Sequence, residues 1–196
     1  MSEMTDSPQR TPGKRERLVA AAIQLLHQQG MERTTLAEIA QAADVPAGNV
    51  YYYFKTKDEV IAAVVEAHAR QIRTILAALE ARHRSPRHRL KAFARELTSQ
   101  SEIVAAYGCP LGSLCWELDK RAAESSLDVA MLMRLPVEWA EAQFRALGRH
   151  DAHDLALDLL AAYEGNALLA NTMRDPQILS RAAKRLEHWI DAITTE

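Results

Sequence analysis

The chain has 196 residues, with 24 Lys+Arg against 26 Asp+Glu and two cysteines. That length holds one or two helical domains with a real core; the near balance of charge excludes a polycation, and two cysteines exclude a secreted disulfide framework. The first residues are polar and charged, with no signal-peptide core, and no apolar run approaches the about 18–20 residues of a membrane span, so the expected location is the cytoplasm, with no membrane partner.

Ala, Leu, Glu, Gln and Arg dominate, and no stretch alternates apolar with polar residues as a half-buried strand would. The chain is therefore expected to be all-α, with about nine helices. Residues 1–13, rich in Ser, Thr, Pro and charge, read as a flexible arm. A first helix is predicted from Lys14 to Gln29, with Leu18, Ala21, Ala22, Leu25 and Leu26 as its apolar face and Gly30 as its stop. Thr35 and Glu38 have capping-box spacing for a second helix, whose inward face is Leu36, Ile39, Ala40 and Ala43. Asp44 occupies the following turn, where a left-handed backbone is often needed, and Pro46 suits the first position of a very short third helix ending near Phe54. A long fourth helix opens at Lys57-Asp58-Glu59 and runs to about Arg82, so a domain boundary falls near residue 58.

Beyond it, helices are predicted over Pro86 to about Ser101, Pro110 to about Leu118, Ser125 to Leu147 with a kink or split at Pro136, Asp151 to Asn171, and Pro176 to Thr194. The basic run from Arg82 to Lys91 reads as a solvated turn. His150-Asp151-Ala152-His153-Asp154 has a metal-like look, but it lies at a helix start where Asp is favoured as a cap, so no metal and no cofactor are expected.

Two short helices joined by a tight turn can lay the second in the DNA major groove, and here the second ends in Tyr51-Tyr52-Tyr53-Phe54-Lys55. Neighbours on a helix point about 100° apart, so three consecutive tyrosines cannot all face one core and at least one is exposed. Lys55 and Lys57 can then hold phosphates. From Arg10 to Lys57 there are seven Lys/Arg against four acids, a modestly basic module on an acidic remainder, as expected for a DNA contact confined to one end. Small side chains at Ala47 and Gly48 leave few base contacts from the start of that helix, while Asn49 can bond a base edge or a phosphate. Lys14 and Arg15 are placed to reach the backbone or the minor groove.

Thr34-Thr35, Ile39-Ala40, the run Gly48-Asn49-Val50-Tyr51-Tyr52-Tyr53-Phe54 and Lys57-Asp58 are spaced as in the TetR (tetracycline repressor) family, and residues 14–60 resemble that family's DNA-binding domain. The turn departs from it, with Asp44 where glycine is usual and Pro46 where serine is usual. The resemblance implies an N-terminal three-helix helix-turn-helix DNA-binding domain (14–57) joined to a helical ligand-binding and dimerisation domain (58–196). It also implies a homodimer through the last two helices, a palindromic double-stranded operator, and a small-molecule inducer that shifts the fourth helix. Thr34, Thr35, Tyr51, Tyr52 and Lys57 match DNA-contacting positions.

For the ligand, large apolar residues on the middle helices (Trp116, Met131, Leu135, Trp139 and Phe144) are candidate cavity walls, with Tyr163 and Asn166 as polar groups on an otherwise apolar helix. The expected inducer is mostly apolar. Cys109 precedes a proline at a helix start, where the dipole lowers a thiol's pKa, and resembles cysteine positions of electrophile- and oxidant-sensing family members. The alternatives are thus a Cys109-based sensor, plain packing of Cys109 and Cys115, or a thiol-dependent enzyme. The last lacks any glycine phosphate loop, HExxH motif or nucleophile elbow.

Overall fold

The computed structural model describes residues 12–120 and 127–194. The predicted arm up to residue 11 and the predicted helix start at Ser125 lie outside the described residues. Among those residues all regular structure is helical: α1 (Lys14–Arg33), α2 (Leu36–Ala42), α3 (Ala47–Tyr53), α4 (Lys57–Arg82), α5 (Pro86–Thr98), α6 (Ser101–Tyr107), α7 (Pro110–Asp119), α8 (Met131–Ala146), α9 (Ala152–Met173) and α10 (Gln177–Ile193). The helix beyond the expected nine is α6. Ser99 and Gln100 break the ladder after α5, and the chain restarts at Ser101 instead of ending there.

The N-terminal helices form where their local chemistry says they should. Gly30 takes φ 78°, ψ 172°, which ends the regular part of α1 and leaves one further turn at Met31–Arg33. Thr35 caps α2 reciprocally with Glu38: Glu38 N–H donates to Thr35 Oγ1 at 3.2 Å and Thr35 N–H to Glu38 Oε2 at 2.8 Å. Asp44 adopts φ 51°. Pro46 is the residue before α3 and not its first helical position. Leu18, Ala22, Ile39, Val50, Phe54, Val60 and Val64 close the small core of this domain.

α4 is one unbroken helix of 26 residues that starts in this core and continues into the body, burying Ile72, Leu76 and Leu79 there. The rest of the body wraps α8, α9 and α10 around it and α5. Pro136 lies inside α8, which neither splits there nor extends back towards residue 127; residues 127–130 are non-helical. Only five helical residues precede Pro136, so its missing N–H costs one bond of the opening turns.

The basic stretch does hold a turn, at 83–85 with Arg82 and Arg84 exposed, but its second half is the packed first part of α5. Arg87 and Lys91 meet Asp191 at 2.8 and 2.7 Å, and Arg95 grips Glu187 with two bonds of 2.8 and 2.7 Å, tying α5 to α10. Asp151 does not cap α9 with its side chain; its carboxylate pairs with Arg149. No cluster of metal-ligating side chains occurs among the described residues.

Candidate nucleic-acid interface and ligand cavity

α3 is anchored by two apolar residues and shows the rest of itself to solvent. Val50 and Phe54 are 1% and 2% exposed, whereas Tyr51 and Tyr52 are 57% and 79% exposed. Tyr53 is half-buried and stacks edge-on against Tyr52, ring centroids 5.0 Å apart. Ala47 and Gly48 are exposed, Asn49 is partly so, and a Cβ built on Gly48 would meet nothing within 4 Å. Nothing inside the protein requires a glycine there.

Cations gather at this edge. Lys14 and Arg15 are exposed at the start of α1, and the Arg15 guanidinium lies 5.2 Å over the Phe54 ring. Lys55 is exposed and donates its ammonium to the Tyr51 carbonyl, satisfying the negative end of α3. Thr35 is exposed as well. Its hydroxyl also donates to Glu38 at 2.9 Å, and this pairing, the Thr35 backbone N–H first, holds the Glu38 carboxyl below the usual range. A phosphate approaching Thr35 therefore meets a carboxylate beside it.

Two expected contacts are placed differently. Thr34 is fully buried and its hydroxyl donates to the Gly30 carbonyl at 2.8 Å, so its side chain closes the break in α1 and faces no nucleic acid. Lys57 is half-buried with its ammonium on the Met31 carbonyl. The Met31 N–H, for its part, donates to Glu117 Oε2 at 2.6 Å. The backbone of this one residue thus links α1 to α4 through its carbonyl and to α7 through its N–H, and His27 bonds the Gly108 carbonyl at 2.9 Å just before α7. Sequence spacing could not reveal this brace, because Glu117 lies 86 positions from Met31.

The body holds a partly open apolar cavity of about 140 Å³ between α4 (Ile72, Ile75, Leu76), α5 (Phe93, Leu97), α8 (Met133, Pro136) and α9 (Leu160, Tyr163, Glu164), with Glu96 and Gln100 also in its wall. Of the residues expected to line it, Tyr163 does. Cys109 and Trp116 instead line a neighbouring open recess with Gly108, Glu164, Leu168 and Asn171. The others lie elsewhere. Phe144 is fully buried against Trp189, Trp139 packs on Phe93 and donates to Glu80 at 2.9 Å, and Met131 receives Arg73. Leu135 packs on the main core, and Asn166 is held by Ala162 and Arg185. The reason is helical phase: α8 turns Met133 and Pro136, three residues apart, to the cavity, which rotates 131, 135 and 139 away.

Cys109 is buried. Its thiol donates to Glu164 Oε1 at 3.2 Å, and its sulfur accepts the Gly112 N–H at 3.3 Å and the Tyr163 hydroxyl at 3.7 Å. Burial first, then the Glu164 charge, pushes this thiol up to about 12. Burial likewise pushes Cys115 up to about 11. The dipole argument for an activated thiol is thus overridden by desolvation, and the geometry is that of a packed, protonated cysteine.

Residues 18–64 match the family described as bacterial regulatory proteins, tetR family. A stretch of 120 residues is 28% identical to the HTH-type transcriptional repressor NemR of Escherichia coli, covering 61% of this chain and 59% of that one. The chain spans about half or less of the length of the first curated relatives it matches. In three dimensions a TetR transcriptional regulator from Legionella pneumophila superposes with a TM-score of 0.81 at 20% identity, over 95% of this chain and all of the other. The reduced form of Escherichia coli NemR superposes with a TM-score of 0.70 at 22% identity, over 90% and 96% of the two chains. These last two likenesses are of fold.

Proposed function

The chain belongs to the TetR family of bacterial transcriptional regulators, and from that premise we propose that it is a homodimeric repressor that holds a palindromic operator and releases it when a small, mostly apolar inducer fills the body cavity. The observation that carries this reading is the continuity of α4. The helix begins at Lys57, against the reader domain, and the same rigid element lines the cavity with Ile72, Ile75 and Leu76. A ligand wedged against those side chains displaces the far end of a lever whose near end carries the reader.

α7 is the second arm. Pro110 and Leu111 touch the cavity while Glu117 holds Met31. Tyr51 and Tyr52 contact the DNA backbone, Ala47, Gly48 and Asn49 face the groove, and Lys14, Arg15, Thr35 and Lys55 frame the phosphates. Lys57 contributes through the N-terminus of α4 once its ammonium leaves Met31.

The dimer surface is α9 with α10. α9 leaves Leu157, Leu168, Leu169 and Met173 exposed by 45, 67, 51 and 65%, a concentration of apolar side chains that a monomer does not need. Gly165 lies among them, and a Cβ there would touch nothing within 4 Å.

The test is a titration of the purified full-length protein with DNA from directly upstream of its own gene. Tight, competitor-resistant binding as a dimer, weakening steeply with added salt as counterions are released, supports the reading. Absence of specific binding there and in a genome-wide selection, with dimerisation intact, would overturn it.

A further inference from the structure

Glu164 lines both the apolar cavity and the open recess beside it, and so stands in the wall between the two. Among the described residues its carboxylate meets one side-chain donor, the Cys109 thiol at 3.2 Å, and no lysine, arginine or histidine lines either recess. α7 comes close to it at Gly112, where a Cβ would lie 2.7 Å from Glu164 Oε2 and push the end of that side chain aside. The other charge in the cavity wall, Glu96, is also negative. The rings of Phe93 and Tyr163 line the same space, and aromatic faces attract cations.

We propose that the cavity takes a lipophilic cation, an organic ammonium ion whose apolar body packs among Ile72, Leu76, Phe93 and Met133 and whose positive charge rests on Glu164. This deepens the inducer reading of the cavity and rests on it for the effect on DNA, but not for binding itself. Three ligand chemistries compete, and the wall discriminates among them. An anion is repelled by the half-buried Glu164 carboxylate, and the exposed Glu96 adds no attraction. A neutral apolar ligand excludes water from Glu164 and offers nothing in return, which burial of a carboxylate makes costly. An ammonium ion supplies the missing partner, and a quaternary one, without protons to donate, leaves the Cys109 hydrogen bond in place. A cavity of this size accepts a ring-sized body, and the recess on the other side of Glu164 leaves room for the charged head.

The experiment is calorimetric and dialysis titration of the full chain with benzyltrimethylammonium, with its uncharged carbon isostere neopentylbenzene, and with phenylacetate. The expected result is at least tenfold tighter binding of the ammonium than of either other probe. Glu164→Gln, which keeps the shape and an acceptor for Cys109, is expected to erase that preference, while Glu96→Gln changes it less than threefold. Equal or tighter binding of neopentylbenzene or phenylacetate by the unaltered protein overturns the proposal, and so does an ammonium preference that survives in folded Glu164→Gln. Should that variant not fold, the three probes on the unaltered protein decide. Operator release is read separately. Ammonium binding without release leaves the ligand class standing and counts against the inducer reading; release by neopentylbenzene and not by the ammonium does the reverse.

Discussion

Single side chains in this protein divide into those that hold the reader and those that would touch DNA, and α3 shows the division most sharply. Val50 and Phe54 are buried, so enlarging or truncating them damages the fold; Tyr52 is 79% exposed, so its removal should not. Tyr52→Ala is expected to weaken operator binding about tenfold or more, the worth of a hydrogen bond to a charged group, with the melting temperature unchanged. A stability loss equal to the affinity loss would make Tyr52 a packing residue instead. Asp44 gives the opposite kind of test. Its φ of 51° is a conformation glycine adopts without the Cβ clash. Asp44→Gly is expected to stabilise the protein by up to about 1 kcal/mol in chemical denaturation. The Arg17 bond to this residue goes to the backbone carbonyl and is retained. His68 acts on stability through pH. It is buried in α4, and burial, then the neighbouring His27, lowers its pKa, so the imidazole is neutral in the fold. Its contribution is complete above the unfolded-state value of about 6.5 and is lost as pH falls below it. Denaturation midpoints should drop between about pH 7 and 5, and His68→Gln should flatten that slope; an unchanged slope would assign it to other groups.

At the scale of helices, the informative contacts are those that join elements far apart in the chain. α7 touches the cavity wall near its start and the reader domain through Glu117, whose carboxylate takes the Met31 N–H at 2.6 Å. Glu117→Ala leaves α3 and its tyrosines intact, so operator affinity without ligand is expected to change less than threefold while the ligand concentration needed for release rises or release is lost. Normal induction in that variant would leave α4 as the sole transmitter. α5 and α10 are joined by charge. Glu187 is held below the usual carboxylate range chiefly by Arg95, and Asp191 by Lys91 and Arg87. Carboxylates of this kind stabilise the fold above the ordinary carboxylate range, and that stability is lost as pH falls through their lowered values. Acid titration followed by helix content should therefore show a second decline below about pH 4, shifted by Asp191→Asn.

At the scale of the whole molecule, the exposed apolar residues of α9 are where the second copy of the proposed dimer would seat. Leu168→Arg adds a charge at a side chain 67% exposed, so the isolated chain should fold as before. The dimer should dissociate in sedimentation, and operator binding should fall with it, since two readers joined in one body gain from effective concentration. A dimer unaffected by this change would place the interface elsewhere.

Much of the reader domain was legible from residues alone because its determinants are local. Gly30, the Thr35–Glu38 cap, Asp44 and the phase of Val50 and Phe54 each act within about one helical turn, and each is where sequence logic puts it. Local chemistry also announced that a tyrosine must face outward, and Tyr51 and Tyr52 do. What tertiary structure alone decided depends on partners distant in the chain. It buried Thr34, tied Lys57 to Met31, and turned Trp139 and Phe144 into the core and Glu164 towards the cavity. It also set the Cys109 thiol, which a helix start would activate, into a site where burial keeps it protonated. Periodicity tells which face of a helix is apolar; which neighbour that face meets, and hence whether an apolar residue packs a core or lines a space, is fixed only when the helices dock.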